Sequence, residues 1–245
     1  MLDGGLAEDL ADASLAMARR FAAGATLWCV APAWEPHAHH MAVEFVHPVI
    51  VGKRALPAFA LTGPDLVARA RVAARSGDIL IAVAGSRDEG VADLMRRAPA
   101  WGAISVWIGS GGRPPAGAAD HVLWVDDPDP LAPATGRFVL LYHLLWELTH
   151  VCFEHPGLLL LSSGGAAFPH GSAGEDSAMA DCCITCSDEG RLAEVLEPPA
   201  SVFDRALVRT ETGLEAIDVT LVAPVTVGDL VLVHAGAALT RLGDA

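Results

Sequence analysis

The sequence has little positive charge. Its 245 residues include 16 lysines and arginines against 30 aspartates and glutamates, which gives a formal net charge of −14. A field of that sign repels polyanions such as DNA and acidic membrane surfaces. We therefore expect neither a nucleic-acid partner nor a membrane partner.

Long hydrophobic runs and targeting signals are also missing. The run GLLLLSS at 157–163 is too short to span a bilayer. The longer stretch 137–155 contains side chains that hydrocarbon would exclude, namely Arg137, His143, Glu147, His150 and Glu154. No charged segment followed by an apolar one opens the sequence, which predicts a cytoplasmic protein. In that reducing compartment, cysteines serve as ligands or reactive thiols before they form disulfides.

The first 161 residues alternate helix and strand signals. Apolar residues recur at helical spacing over 6–21, and Gly24 then ends that pattern. Short, almost continuously apolar runs follow, separated by glycine, proline or helical stretches: 26–31, 55–61, 78–85, 103–109 and 121–127. Such runs are typical of strands that crossover helices bury on both faces. The sequence therefore predicts an α/β domain over 1–161, with a doubly wound parallel sheet and a closing helix at 137–155.

After residue 161, both the amino-acid composition and the spacing of the apolar residues change. Residues 162–180 are rich in glycine, serine and alanine and lack a period, which predicts a flexible linker. Apolar and polar residues then alternate over 214–222, and 229–242 is a second β-rich run, with a turn at 227–229 between them. These features predict a second, small all-β barrel domain over 181–245.

Five segments of the first domain occur in consistent order: HHMAVEFVHPVIVGKRALPAFAL, SGDILIAVAGSRDEGVADLM, GAISVWIGSGG, AADHVLWVD and LYHLLWELTH. Over roughly residues 5–157 the domain thereby resembles a sugar isomerase (SIS) domain of the sedoheptulose-7-phosphate isomerase, or phosphoheptose isomerase, type. The resemblance implies the SIS fold, an aldose–ketose isomerisation of a phosphorylated sugar and assembly into a homo-oligomer.

Three positions match the catalytic site of that family. His40 and Glu44 are one helical turn apart and align with a His/Glu pair, and His143 aligns with a later catalytic histidine. This trio could hold a divalent metal or move protons during isomerisation. A glutamine that completes the family's metal site would fall near Thr135, where it is missing. Retained isomerisation and an inherited site without activity therefore both remain open. His37 and His39 are interpreted as loop residues and not as ligands.

The two phosphate-binding loops of the family are changed in this sequence. In the family they are rich in glycine, serine and threonine, which lets backbone N–H groups approach a phosphate. Here they read APAWEPHAHH and AGSRDEG, and four residues add bulk or negative charge: Trp34, Glu35, Asp88 and Glu89. The sequence thus predicts a degenerate phosphosugar site in which Ser86 and Arg87 remain as phosphate-binding candidates.

The second domain begins with a cysteine in CITCSDEGRLAEVLE and ends with VGDLVLVHAGAALTRL, which has a histidine in its last β-rich run. In these features, over roughly 182–243, it resembles the HypC-type (HypC/HybG/HupF) chaperones of [NiFe]-hydrogenase maturation. The resemblance implies that the Cys183 thiolate carries an iron centre with cyanide and carbonyl ligands, and that His234 binds or orients it. The implied partners are a HypD-type maturation protein and a hydrogenase large-subunit precursor.

Cys182, Cys183 and Cys186 form a cysteine cluster that has other interpretations. Cys183 is internal and has no free α-amino group, so Cys182 or Cys186 could take its place as the iron ligand. Half of a zinc site and a thioredoxin-like redox pair are further alternatives, although no second CxxC motif follows. Cys29 and Cys152 lie in apolar segments and are interpreted as buried thiols.

Three functions follow from the sequence as a whole. The first is a hydrogenase maturation chaperone whose SIS-like domain has a degenerate site. The alternative is a metal-dependent phosphosugar isomerase that its second domain tethers to a maturation complex. In the third, the SIS-like domain is a dimerisation module that presents several chaperone domains at once.

Overall fold

The computed structural model describes residues 4–125, 127, 136–160, 190–201 and 204–242. Its first sheet has five strands: β1 (Leu27–Val30), β2 (Ala58–Ala60), β3 (Ile79–Val83), β4 (Ile104–Ser110) and β5 (His121–Val125). They are parallel and lie in the order β2-β1-β3-β4-β5. The order reverses at β1 and β3, so a crevice is expected beyond the carboxyl ends of these two strands.

Helices cover both faces of this sheet. They are α1 (Gly4–Ala22), α2 (Glu35–Val46), α3 (Leu66–Ala73), α4 (Glu89–Arg97), α5 (Gly136–Glu154) and α6 (Pro156–Leu160), with a 3₁₀ helix at Ala98–Trp101. Residues 79, 81 and 83 of β3 face the core formed with α1, α2 and α5, whereas Leu80 and Ala82 face α3 and α4. The predicted doubly wound parallel sheet is therefore confirmed.

The second sheet is antiparallel. Its strands are β6 (Arg191–Glu197), β7 (Ala206–Thr210), β8 (Gly213–Ile217), β9 (Leu230–His234) and β10 (Ala237–Leu242), in the order β10-β9-β6-β7-β8. A parallel bridge joins Asp218, just after β8, to Ala237 of β10, so the two edges of the sheet meet. The prediction of a second, all-β region is confirmed.

The strand boundaries differ in part from the sequence pattern. The alternating run 214–222 forms a strand only as far as Ile217, and 229–242 forms two strands instead of one. The chain turns between β9 and β10 at Ala235 and Gly236, both of which have positive φ. The predicted turn at 227–229 exists, but it connects β8 to β9, which are not neighbours in the sheet.

A buried carboxylate joins the two sheets. Glu194 of β6 is fully buried. Its Oε1 accepts hydrogen bonds from Arg71 of α3 and, at 2.9 Å, from Arg97 of α4. Its Oε2 accepts a hydrogen bond from the Trp101 indole at 2.7 Å. A buried charge is tolerated when ion pairs and hydrogen bonds compensate it, as they do here.

A second arginine extends this contact. Arg209 of β7 donates to the carbonyl oxygens of Arg71 at 2.9 Å and Ala74 at 2.7 Å, at the C-terminal end of α3. Its guanidinium lies 5.7 Å from the centre of the Trp101 ring, a cation–π arrangement. Leu230 of β9 belongs to the same buried cluster as Trp101. The second sheet therefore packs on the layer of α3, α4 and the 3₁₀ helix.

The predicted linker at 162–180 and the start of the predicted second domain lie outside the described residues. Among the helices that are described, none combines the length and the apolar character needed to cross a bilayer.

Candidate functional site

The candidate site lies where α2 packs beside α5. Helix α2 follows the carboxyl end of β1, and Pro36 in its first turn suits a helix start because that position needs no N–H donor. His40 and Glu44 are four residues apart and therefore share one face of α2. His143 lies on α5, which packs against α2 on the same side of the sheet.

The structure brings the three predicted residues together. Nε2 of His40 lies 3.1 Å from Oε1 of Glu44, and Nε2 of His143 lies 3.3 Å from the same oxygen. The two imidazole rings are almost perpendicular, with centroids 5.1 Å apart. One ligand atom from each residue lies within 4.8 Å of the other two. Three potential ligands thus converge on one point.

His143 is the member of this trio whose bonding is incomplete. Its Nε2 atom is buried, and no hydrogen bond from the described residues reaches it, because the 3.3 Å approach of Glu44 lacks hydrogen-bond geometry. Buried polar atoms normally have a partner, and a cation among the three residues would provide one. Two imidazoles and one carboxylate are also the protein ligands of many catalytic zinc sites, in which a fourth position stays open. The residues present therefore fit a divalent metal.

Tyr142, the only tyrosine of the chain, lies behind the trio. Its hydroxyl is 2.9 Å from Nδ1 of His40 and 3.2 Å from Nδ1 of His37. Burial, and then the nearby charge of Glu44, raises the pKa of Tyr142 to about 12. The phenol therefore keeps its proton at neutral pH.

The interpretation of His37 and His39 as loop residues is wrong, because both lie in α2. His39 is exposed, whereas His37 is buried in the first turn and its ring meets Tyr142 edge-on. Neither His37 nor Tyr142 was recognised from the sequence as part of the site. The only local signal was the position of Tyr142 next to His143 in the segment YHLLWEL.

The phosphate-binding candidates belong to a different segment of the chain from the trio. Ser86 and Arg87 form the turn between β3 and α4, at the same edge of the sheet as the start of α2, because β1 and β3 are parallel neighbours. Arg87 is exposed and Ser86 is half-buried. Asp88, which follows them, caps α4 by accepting a hydrogen bond from the Val91 N–H. The Asp88 carboxylate therefore has a structural role, as the N-terminal cap of α4.

The predicted iron site can be placed only in part. His234 is the last residue of β9. Thr135 and the cysteines of the cluster lie outside the described residues: Cys182, Cys183 and Cys186. The interpretation of the other two cysteines is confirmed, since Cys29 and Cys152 are both buried and burial raises the pKa of each thiol.

Solved structures resemble the chain in fold. A phosphoheptose isomerase from Francisella tularensis matches with a TM-score of 0.52 at 16% identity, over 59% of this chain and 86% of that one. A phosphoheptose isomerase from Neisseria gonorrhoeae matches with a TM-score of 0.49 at 17% identity, over the same shares of the two chains. No protein-family model matches the sequence, and no curated protein does. The α/β part thus has an SIS-type fold, and the resemblance to maturation chaperones stays a prediction.

Proposed function

We propose that His40, Glu44 and His143 form the metal-binding active site of an isomerase that acts on a phosphorylated sugar. The observation that supports this most is the convergence of the three ligand atoms within 4.8 Å around the unbonded Nε2 of His143. The SIS-type fold, shared with a phosphoheptose isomerase, supports the same class of reaction.

The chemistry of an aldose–ketose shift fits these side chains. A divalent cation, when bound, would polarise the carbonyl group of the substrate. His40, Glu44 and His143 would hold that cation, and the facing atoms of Glu44 and His143 are 3.3 Å apart. His40 is 40% exposed, so a substrate can reach the site from solvent.

The phosphate group would be bound by few contacts. The turn at Ser86 and Arg87 offers one hydroxyl and one guanidinium at the correct edge of the sheet. Arginine binds phosphate through a pair of hydrogen bonds and keeps its charge at all relevant pH values. We therefore propose that these two residues bind the phosphate end of the substrate more weakly than a glycine-rich cradle would.

Zinc binding tests this proposal on the full chain. We expect the wild type to bind one equivalent of Zn²⁺ in a calorimetric titration. Glu44→Gln and His143→Asn should each lower the affinity by about 100-fold, because each removes one of three ligands. Interconversion of sedoheptulose 7-phosphate, followed by NMR, should fall by about 10²–10⁴-fold in the same variants.

His47→Asn is the matched control, because His47 is an exposed histidine at the C-terminal end of α2. It should retain both zinc affinity and activity. A wild type that binds no zinc, or equal affinities in all four proteins, would contradict the metal site. Zinc binding without turnover would leave a metal site but reject the isomerase.

We also propose that the second sheet carries an iron centre for hydrogenase maturation. One observation favours it: the pairing of Arg191 with Val233 places the start of β6 beside the end of β9, where His234 lies. His234 thus lies at the end of the sheet where β6 begins.

Infrared spectroscopy tests the iron proposal. The protein would be purified without oxygen after co-expression with a HypD-type maturation protein of verified activity. We expect cyanide and carbonyl stretching bands in the wild type and their loss in Cys183→Ala, because the thiolate is the proposed ligand. Cys29→Ala, which removes a buried thiol elsewhere, should keep the bands. Bands that persist in Cys183→Ala would reject that ligand, and their absence from the wild type would reject the iron carrier.

A further inference from the structure

His150 of α5 is a buried histidine whose two ring nitrogens both face backbone carbonyl oxygens. Its Nδ1 lies 2.9 Å from the carbonyl oxygen of Trp146, one turn earlier in the same helix. Its Nε2 lies 3.0 Å from the carbonyl oxygen of Arg54, in the connection between α2 and β2 (residues 47–57). The ring is 2% exposed and bridges the helix and the α2–β2 connection.

The two contacts together determine how many protons the ring must carry. A carbonyl oxygen only accepts hydrogen bonds, so each contact needs an N–H group on the imidazole. A neutral imidazole has one N–H group and one lone pair, whereas the protonated ring has two N–H groups. Only the protonated ring of His150 therefore satisfies both oxygens, because a neutral ring would turn a lone pair towards one of them.

The surroundings of His150 compensate part of the cost of a buried charge. Two carbonyl dipoles point their negative ends at the ring, and buried charges are tolerated where hydrogen bonds satisfy them. The ring centre of Trp146 lies 4.4 Å from that of His150, and the ring centre of Phe153 lies 6.2 Å away. Aromatic rings at such distances attract a cation. The site is therefore suited to an imidazolium although water is largely excluded.

The charged groups nearby have both signs. Lys53 binds Glu147 at 3.3 Å and Glu154 at 2.7 Å, while the guanidinium of Arg54 lies 5.2 Å from the centre of the Phe153 ring. Lys53 above all, with smaller contributions from His155 and His150, lowers the pKa of Glu154. The titratable groups that adjoin the C-terminal half of α5 are thus the following: Arg19 of α1, Lys53, Arg54, Glu147, Glu154 and His155.

We infer that His150 is a buried imidazolium that closes the α2–β2 connection onto α5, and that this contact opens when the ring loses a proton. Whichever nitrogen gives up its proton, its lone pair then faces a carbonyl oxygen and the ring has to turn away. The folded chain thus holds a proton that the unfolded chain holds less tightly. The contact is therefore present at low pH and is lost as the pH rises.

This switch does not depend on the proposed function. The hydrogen bonds and ring contacts of His150 go to Trp146, Phe153 and Arg54, none of which is a candidate metal ligand. Metal-free protein, kept so with a chelator, is therefore the material for the test.

NMR of the full chain with ¹⁵N-labelled histidine tests the protonation, since imidazole nitrogens with and without a proton differ widely in chemical shift. At about pH 7.5 an ordinary imidazole is about nine-tenths neutral. We expect two protonated nitrogens on His150 at this pH and one on the exposed His155. The chain has ten histidines, so His150→Leu and His155→Gln assign the two sets of signals. A single protonated nitrogen on His150 would overturn the inference.

Limited digestion with trypsin tests the release, because the carbonyl group that His150 binds belongs to the peptide bond after Arg54. At about pH 6, cleavage at this bond should be about 10-fold faster in His150→Leu than in the wild type, since a hydrogen bond from a charged group is lost. The wild-type rate should approach that of the variant as the pH rises to about 9, beyond the range in which imidazole titrates. The ratio of the two rates at each pH removes the pH dependence of trypsin itself.

His155→Gln is the matched control, because it removes an exposed histidine just beyond the end of α5. It should keep the wild-type cleavage rate at every pH. Cleavage after Arg97, which is paired with Asp93 and Glu194 in the same α/β unit, reports unfolding beyond the connection. A ratio that does not change with pH would overturn the inference, as would cleavage after Arg54 and Arg97 that rises in parallel in His150→Leu.

Discussion

Replacing Glu194 with leucine is expected to lower the free energy of unfolding of the full chain by about 3 kcal/mol. The variant removes three hydrogen bonds at once and leaves the guanidinium groups of Arg71 and Arg97 without their shared carboxylate. Loss of one partner from a buried ion pair costs about 3–5 kcal/mol. The two arginine side chains are 29% and 15% exposed and regain some hydration, which favours the lower end of that range. Urea unfolding followed by circular dichroism measures the change.

Glu215→Leu is the matched control for this substitution. Glu215 also binds an arginine, Arg191, at 2.8 Å, but this pair is partly exposed, and such pairs contribute about 0–1 kcal/mol. If the two variants lose equal stability, the buried network around Glu194 does not join the sheets as argued above. A second substitution, Arg71→Met, should recover part of the loss in the Glu194→Leu protein, because it removes an unpaired charge.

The Glu194→Leu variant also tests whether the interface between the two sheets affects the candidate site. Glu194 contacts α3, α4 and the 3₁₀ helix, whereas the candidate metal ligands lie on α2 and α5, across the parallel sheet. Zinc affinity should therefore stay unchanged in Glu194→Leu under conditions in which it is folded. The stability of the assembly and the chemistry of the site are thus expected to respond to different residues.

The parallel sheet could be predicted because burial on both faces leaves a clear pattern. The run 78–85 is apolar almost throughout, and all five residues of β3 are indeed buried. The turn at Ala235 and Gly236 could not be predicted, because it lacks the Asn-Gly or Asp-Gly pair that usually marks a tight hairpin. As a result, one predicted β-rich run proved to be two strands.

The packing of the second sheet against the α/β layer could not be predicted from the sequence. Glu194 occupies a polar position within β6 and reads as an ordinary exposed residue of an alternating strand. Its partners Arg71 and Arg97 are 123 and 97 residues away along the chain. Spacing rules describe contacts within one element, so a contact between distant elements is visible only in three dimensions.

Three residues of the candidate site could be predicted from the sequence, and Tyr142 could not. His40 and Glu44 are adjacent on one helix and follow from their spacing, while His143 followed from the family resemblance. Tyr142 could not be found in this way, because a tyrosine in an apolar helix is most simply a core residue. Its hydroxyl partners are 102 and 105 residues away. The part of the site missed by sequence reasoning is the part that orients the ligands.

Gly109→Ala is expected to destabilise the protein by about 3 kcal/mol, since overpacking at a well-packed position costs about 1–3 kcal/mol or more. Gly109 lies in β4, and a Cβ atom there would be 2.3 Å from the Trp124 ring and 2.4 Å from the Ala84 carbonyl oxygen. Neither group can move easily. The Trp124 indole donates to the Gly111 carbonyl at 2.8 Å, and the Ala84 carbonyl accepts a hydrogen bond from Trp107 at 3.1 Å. Thermal or urea unfolding measures the loss.

Gly112→Ala provides the comparison within the same glycine-rich segment. A Cβ atom at Gly112 would meet nothing within 4 Å. We therefore expect the free energy of unfolding to stay unchanged or to rise by up to about 1 kcal/mol, because alanine makes the unfolded chain less flexible than glycine does. If Gly109 instead served to bring backbone close to a phosphate, Gly109→Ala would keep its stability and lose affinity for the sugar phosphate. A stability loss at Gly109 alone would assign this glycine to the close packing of the Trp124 ring and the Ala84 carbonyl against β4.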